Sequence, residues 1–394
     1  MQLATFAGWR LHGVRGGLMA GGLFVLPGAI VIACLAALYT KFGNLPLTES
    51  IFLGIKAAIL IIVFDALLKV SRKALNGNES LYIAIASFMA LFVFSIPYPL
   101  VIAISALWGW QRLIQHTDLE VSNQADMDNV KSDGLPLSII DPIKTHSKQQ
   151  SNKRSINHST TLRTVLIWLT IWLLPLFIVA FSAPVVFKDI AQFFSILATV
   201  TFGGAYAVLA YMAQEAVTQY QWLSSGEMLD GLGLAETTPG PLILVTEFVG
   251  YLAAARTAPE GYGALWGIAG AIVTLWSTFI PCFLWIFAGA PYIDWIDKQP
   301  KLRAALSGVT AAVVGVIANL SLLFSLHVMF SELYTLNFGP INIIYPELQS
   351  IDSRVLSLTI LAGALLLRFK LGVILVLLIC ATVSSLPHLL NLTS

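Results

Sequence analysis

Residues 261–293 read GYGALWGIAGAIVTLWSTFIPCFLWIFAGAPYI, thirty-three consecutive positions without Lys, Arg, Asp or Glu. About 20 apolar residues carry a helix across a bilayer, whereas a membrane barrel strand would show about 10 residues of strict alternation. This run is apolar on every side and reads as a spanning helix. Six further uncharged runs repeat the pattern: Gly16–Thr40, Ser80–Gln111, Thr164–Phe187, Ile190–Gln214, Ala304–Ser331 and Leu371–Ser394. The 394-residue chain is 57% apolar and only 11% charged, against about 25% charged in ordinary soluble proteins. So few charges cannot cover a soluble globule of this size. The fold class is all-α, a polytopic integral membrane protein.

Composition and motifs remove several functions. A net charge of +1 gives no footprint for nucleic acid. Cys34, Cys282 and Cys380 fall in separate apolar runs and form neither a disulfide framework nor a metal pattern. There is no G-x-x-x-x-G-K-[ST] loop for ATP, no G-x-S-x-G, and the six histidines never fall into H-x-x-x-H or H-E-x-x-H. No cofactor, metal site or enzyme activity is expected. No cleavable signal peptide is read at the start, because the first apolar run is already of spanning length.

Residues 115–160 are the one polar stretch, rich in Ser, Asn, Gln and charge. They cannot build a core and read as a linker. On either side lie two halves that resemble each other. A shift of 254 places Leu11, Gly13, Gly16 and Pro27 over Leu265, Gly267, Gly270 and Pro281, Gly54 over Gly308, and Asp65 over Asn319. A shift of 242 places Phe6-Ala7-Gly8-Trp9 over Phe248-Val249-Gly250-Tyr251. The organisation expected is a first repeat over 1–114, a cytoplasmic linker over 115–160, a connecting span over 161–187 and a second repeat over 188–394. Residues 190–242 have no counterpart in the first half, so that repeat is expected to be incomplete at its start.

Charge placement gives the orientation, since Arg and Lys beside spans favour the cytoplasm. Lys69, Arg72 and Lys73 follow the first-half helix at 51–68, while the equivalent loop at about 328–353 is read as free of Lys and Arg up to Asp352 and carries Glu332, Glu347 and Asp352. The preceding connection reverses this, with Lys41 alone in one half and Lys298, Lys301 and Arg303 in the other. The last hairpin turns at Pro97-Tyr98-Pro99 in half one and at Arg368-Phe369-Lys370 in half two. The repeats are therefore expected to be inverted, an architecture of secondary transporters whose sites lie at broken helices.

One such break is Pro239-Gly240-Pro241, where two residues lack a backbone donor and one bends freely. A helix starting near Pro241 would present free N–H groups and a positive dipole end to an anion, with Thr237 and Thr238 adding hydroxyl donors. An ordinary proline-capped helix start is the alternative. Thr201-Phe202-Gly203-Gly204 interrupts its run in the same way, either as a kink or as close helix packing. Lys56 could line an anion path or snorkel outward. Asp65 could couple transport to protons or pair with Lys69 or Arg72. Asn319 is its repeat partner, and Glu236 and Glu247 flank the break as further coupling candidates. Arg10, Arg15 and Arg256 read as anchors at membrane ends.

The stretches Thr201-Phe202-Gly203-Gly204, Gly226-Glu227-Met228-Leu229-Asp230-Gly231, Ala235-Glu236-Thr237-Thr238-Pro239-Gly240-Pro241 and Phe248-Val249-Gly250-Tyr251 resemble the second half of the chromate ion transporter family. Gly13-Val14-Arg15-Gly16-Gly17 and Leu26-Pro27-Gly28 resemble its first domain. The resemblance implies a bacterial inner-membrane carrier that exports chromate, with sulfate as a competing look-alike and the lipid bilayer as its surroundings. A homodimer stays open. The alternatives are another oxyanion carrier, or a truncated transporter half that is inactive or needs a partner.

Overall fold

The computed structural model describes residues 1–43, 45–75, 77–111, 158–200, 205–292, 295, 299–339 and 341–393. Nearly all of the 115–160 linker, Lys298 and the whole Thr201–Gly204 motif lie outside them. The described chain is helical: α1 (Gln2–Phe42), α2 (Pro46–Ala74), α3 (Asn78–Phe92), α4 (98–111), α5 (His158–Ser182), α6 (Val185–Val200), α7 (Ala205–Gln214), α8 (Ser225–Thr237), α9 (Val245–Arg256), α10 (Gly263–Gly289), α11 (Pro300–Met329), α12 (Ser353–Gly363) and α13 (Val373–Thr393). Among the described residues five helices are long and apolar enough to cross a bilayer: α1, α2, α5 from Thr161, α10 extended to Tyr292, and α11. The chain is a multi-pass membrane protein.

Within Ile190–Gln214 the described residues form α6 up to Val200 and α7 from Ala205, and the Thr201–Gly204 motif between them lies outside the described residues. One loop reading changes. The 328–353 loop is not irregular. It carries an antiparallel hairpin of β1 (Leu333–Phe338) and β2 (Ile341–Pro346), turned at Gly339 with φ 58°. The Asn342 N–H donates to the Val93 carbonyl at 2.8 Å, tying the hairpin to the turn between α3 and α4. That turn, around residues 93–97, stands where the uncharged Pro97 hairpin was expected.

The aligned segments make matching contacts. α1 bends back on itself at His12 and Gly13, the latter at φ 66° where only glycine is unstrained. Its two arms then touch through Gly8 and Gly16, each so close to the other's carbonyl that a Cβ would overlap it. In the second half α9 and α10 form the same hairpin, and Gly250 and Gly270, the residues equated with Gly8 and Gly16, face each other. The difference between the two shifts falls at the 257–262 loop, which the first half replaces with a bend.

α2 and α11 both begin on a first-turn proline, Pro46 and Pro300. α2 packs on α12 and α13, whereas α11 packs on α3 and α4. Each central helix is thus flanked by the other half's terminal pair. α6 to α10 close the core around Phe193, Phe194, Tyr211, Tyr220 and Trp222.

Candidate functional site

α8 organises the site because both of its ends are fixed by polar contacts. At its start Ser224 and Glu227 form a capping box: the Glu227 N–H donates to Ser224 Oγ at 3.2 Å, and the Ser224 N–H donates to Glu227 Oε2 at 2.8 Å. This satisfies two of the N–H groups a helix start leaves open. Glu227 is also ion-paired with Arg256 from the end of α9. The same guanidinium donates to the Trp222 carbonyl at 2.7 Å and to Glu227 Oε2 at 3.2 Å. Arg256 therefore bolts α9 to α8.

One turn further, Asp230 points between α1 and α2. Its Oδ2 accepts the Tyr39 hydroxyl at 2.8 Å and pairs with Lys56 Nζ at 3.2 Å. Asp230 is only 3% exposed, and a buried carboxylate is tolerable only when paired and hydrogen-bonded. Its second oxygen, Oδ1, is buried with no hydrogen-bond partner among the described residues. Gly233, another turn on, seats α8 directly on Ile55 and Ile59 of α2.

The far end of α8 runs into the broken segment. The Thr237 hydroxyl donates to the Leu234 carbonyl at 2.9 Å, and that of Thr238 to the same carbonyl at 2.7 Å. Both hydroxyl protons expected for an anion are thus spent on the last turn of α8, whose carbonyls otherwise lack donors. Gly240 adopts φ 143°. Beside it Gly28 of α1 has no room for a side chain, since a Cβ there would stand 2.5 Å from the Pro239 carbonyl oxygen. The Leu26-Pro27-Gly28 segment of the first half is therefore the floor of the Pro239-Gly240-Pro241 loop. The next α-helix does not begin at Pro241: a 3-10 turn over Leu242–Leu244 intervenes, and α9 starts at Val245.

The remaining predicted residues divide. Glu236 accepts the Tyr206 hydroxyl at 3.2 Å, and Tyr206 lies two residues after Gly204, so the chain leaving that motif meets the end of α8. Glu247, in the first turn of α9, is 2% exposed, and its Oε2 has no partner among the described residues. Asn319 is 7% exposed with Oδ1 likewise unpartnered. Asp65 is ion-paired with Lys69 at 2.6 Å, one turn along α2. Lys56 is not at the loop: Asp230 and Pro239 are nine residues apart, about 14 Å along a helix. The structure thus gathers two clusters, Tyr39–Lys56–Asp230 with Glu227–Arg256 at one end of α8, and Glu236–Tyr206 with the 238–241 loop at the other. Tyr39, Tyr206 and Asp230 were not predicted as site residues. Asp230 carried one signal, an acid framed by Leu229 and Gly231 in the middle of α8.

The family description "Chromate transporter" matches residues 1–110 and 188–385. The chain is 25% identical over 319 residues to the chromate transport protein of Cupriavidus metallidurans, covering 80% of this chain and 66% of that one. It is 26% identical over 318 residues to the probable chromate transport protein of Synechococcus elongatus, covering 80% and 68%. A chromate transport protein of Pseudomonas aeruginosa is 26% identical over 326 residues, covering 80% and 65%. The chain thus spans about two thirds of the length of these relatives. No solved structure matches it.

Proposed function

This chain belongs to the chromate transporter family, and from that membership we propose that it is a non-enzymatic secondary carrier that exports chromate across the inner membrane. The observation that carries the proposal is the family match over both halves, including all of α8, the 238–241 loop and α9. The matching contacts of Gly8–Gly16 and Gly250–Gly270, with the crossed flanking of α2 and α11, support two repeats of opposite orientation. The 1–114 and 188–394 boundaries, with a cytoplasmic linker between, belong to the same proposal.

Chromate is a tetrahedral dianion. In this reading it is received where Gly240 lets the backbone come close, between the end of α8 and the start of α9, with Gly28 opposite. Thr201, Gly203 and Gly204 are assigned to the same site from the sequence alone. Buried Glu247 and Asn319, together with Glu236, give the path polar groups that can exchange protons or hydrogen bonds as the loop changes partners.

Everted membrane vesicles containing the chain test this. They are expected to accumulate chromate under an imposed proton gradient or potential, and added sulfate shows by competition whether the site separates the two oxyanions. Vesicles that take up no more chromate than empty ones under any gradient refute the proposal.

A further inference from the structure

The Lys56–Asp230 pair has a feature that a purely structural ion pair does not need. Half of a buried carboxylate is left without a hydrogen bond: Oδ2 takes both donors and Oδ1 takes none among the described residues. The cation is the more open partner, with 23% of the Lys56 side chain exposed against 5% for Asp230. Its Nζ lies beside Gly226, where even a methyl group would stand 3.3 Å away. The charged and titratable groups facing the pair are Tyr39 from α1, Glu227 one turn back on α8, and Arg256 from α9, which already holds Glu227. Among the described residues, Lys56 is the one cation ion-paired with Asp230.

A partly buried ammonium needs an anion. If Asp230 takes up a proton, Lys56 loses its anion while its side chain stays partly exposed. Resting on the carrier reading above, we propose that Lys56 and Asp230 form an ionic latch at a second oxyanion position, set along α8 from the 238–241 loop, in which the Asp230 carboxylate and the oxyanion compete for the Lys56 ammonium. One proton binds a carboxylate oxygen of Asp230, the ammonium is released, and the oxyanion takes its place. Loss of that proton restores the carboxylate, which reclaims Lys56 and expels the oxyanion. No other bond forms or breaks. Tyr39 is a positioning residue: its hydroxyl donates to the ionised carboxylate and so favours the closed latch.

The test is equilibrium chromate binding to the full chain in lipid nanodiscs across a pH series, with correct folding followed by gel filtration. Wild-type affinity is expected to rise as pH falls. Asp230→Asn is expected to bind about tenfold tighter at alkaline pH, equivalent to about 1.4 kcal/mol, and to keep on acidification only the change that comes from protonation of chromate itself. Because chromate itself protonates, this variant also subtracts the substrate's own titration. Lys56→Met is expected to bind more weakly at every pH and to lose the latch's pH dependence, and the uncharged double variant Lys56→Met/Asp230→Asn to behave like it. Tyr39→Phe is expected to move the wild-type rise to higher pH. If Asp230→Asn does not fold, the double variant and Tyr39→Phe decide. The latch is overturned if Asp230→Asn keeps the wild-type affinity and profile, if the double variant binds like wild type, or if Tyr39→Phe leaves the profile in place. Wild-type protein that binds no chromate at any pH overturns the carrier reading itself, whereas binding untouched by these variants removes the latch alone.

Discussion

Gly54 of α2 lies so close to Cys380 of α13 that any side chain on the glycine would overlap the Cys380 carbonyl oxygen. The equated glycine, Gly308 of α11, meets the Ser105 carbonyl of α4 in the same way. Close backbone approach through small residues holds helices together where lipid is as apolar as the side chains. Gly54→Ala and Gly308→Ala are therefore expected to cost about 1–3 kcal/mol each, the usual penalty for overpacking. Gly22→Ala serves as the control, since nothing lies within 4 Å of its Cβ position. Thermal unfolding in detergent checks this; equal melting temperatures for all three variants would contradict the crossed packing.

Gly240→Leu is expected to abolish chromate accumulation in vesicles while leaving expression intact, because φ 143° excludes a side chain and the loop must reshape. Gly28→Ala attacks the same loop from the opposite side and is expected to reduce transport too, through its clash with the Pro239 carbonyl. Thr238→Val is expected to cost about 1 kcal/mol through one hydrogen bond. With its proton committed to Leu234, that loss should register in melting temperature rather than in chromate affinity. Full transport in both glycine variants would move the site elsewhere.

Asp65→Asn is expected to leave pH-driven transport in place and to cost at most about 0.5 kcal/mol, the value of an exposed i,i+4 pair. Lys69 is 74% exposed, and the two side chains meet at 2.6 Å. Loss of pH-driven uptake with anion exchange preserved would return the coupling role to Asp65.

Cysteine labelling tests the inverted repeats. In a background without Cys34, Cys282 and Cys380, exposed Asn337 in β1 and exposed Arg72 at the end of α2 each accept a single cysteine. Asn337→Cys is expected to react with an impermeant maleimide on intact cells, and Arg72→Cys only after permeabilisation. Reaction of both from the same side contradicts the inversion.

The spans and the turn at Pro97 were legible because apolar runs are local signals. Gly8, Gly16, Gly250 and Gly270 aligned in sequence and touch in pairs in the fold. The hairpin was legible in principle, since β-branched and aromatic residues flank Gly339-Pro340, but acidic charges at its margins drew the reading toward a plain loop. Asp230 escaped because its partners lie on α1 and α2, with Tyr39 191 positions away. Nothing near Asp230 in the chain reveals that a cation waits across the fold. The hydroxyl bonds of Thr237 and Thr238 to the Leu234 carbonyl were not read from the sequence: a hydroxyl beside a helix end has the helix's own carbonyls within reach.

The crossed flanking of α2 and α11 also has a consequence during synthesis. The seat of Gly54 is on α13, which leaves the ribosome long after α2 has entered the membrane, so α2 must wait with its flank against lipid or an insertion factor. α11 finds α3 and α4 already in place when it emerges. The two halves are alike in sequence, yet one is a template and the other completes it. Halves produced as separate polypeptides are therefore complementary only when both are present in the same membrane.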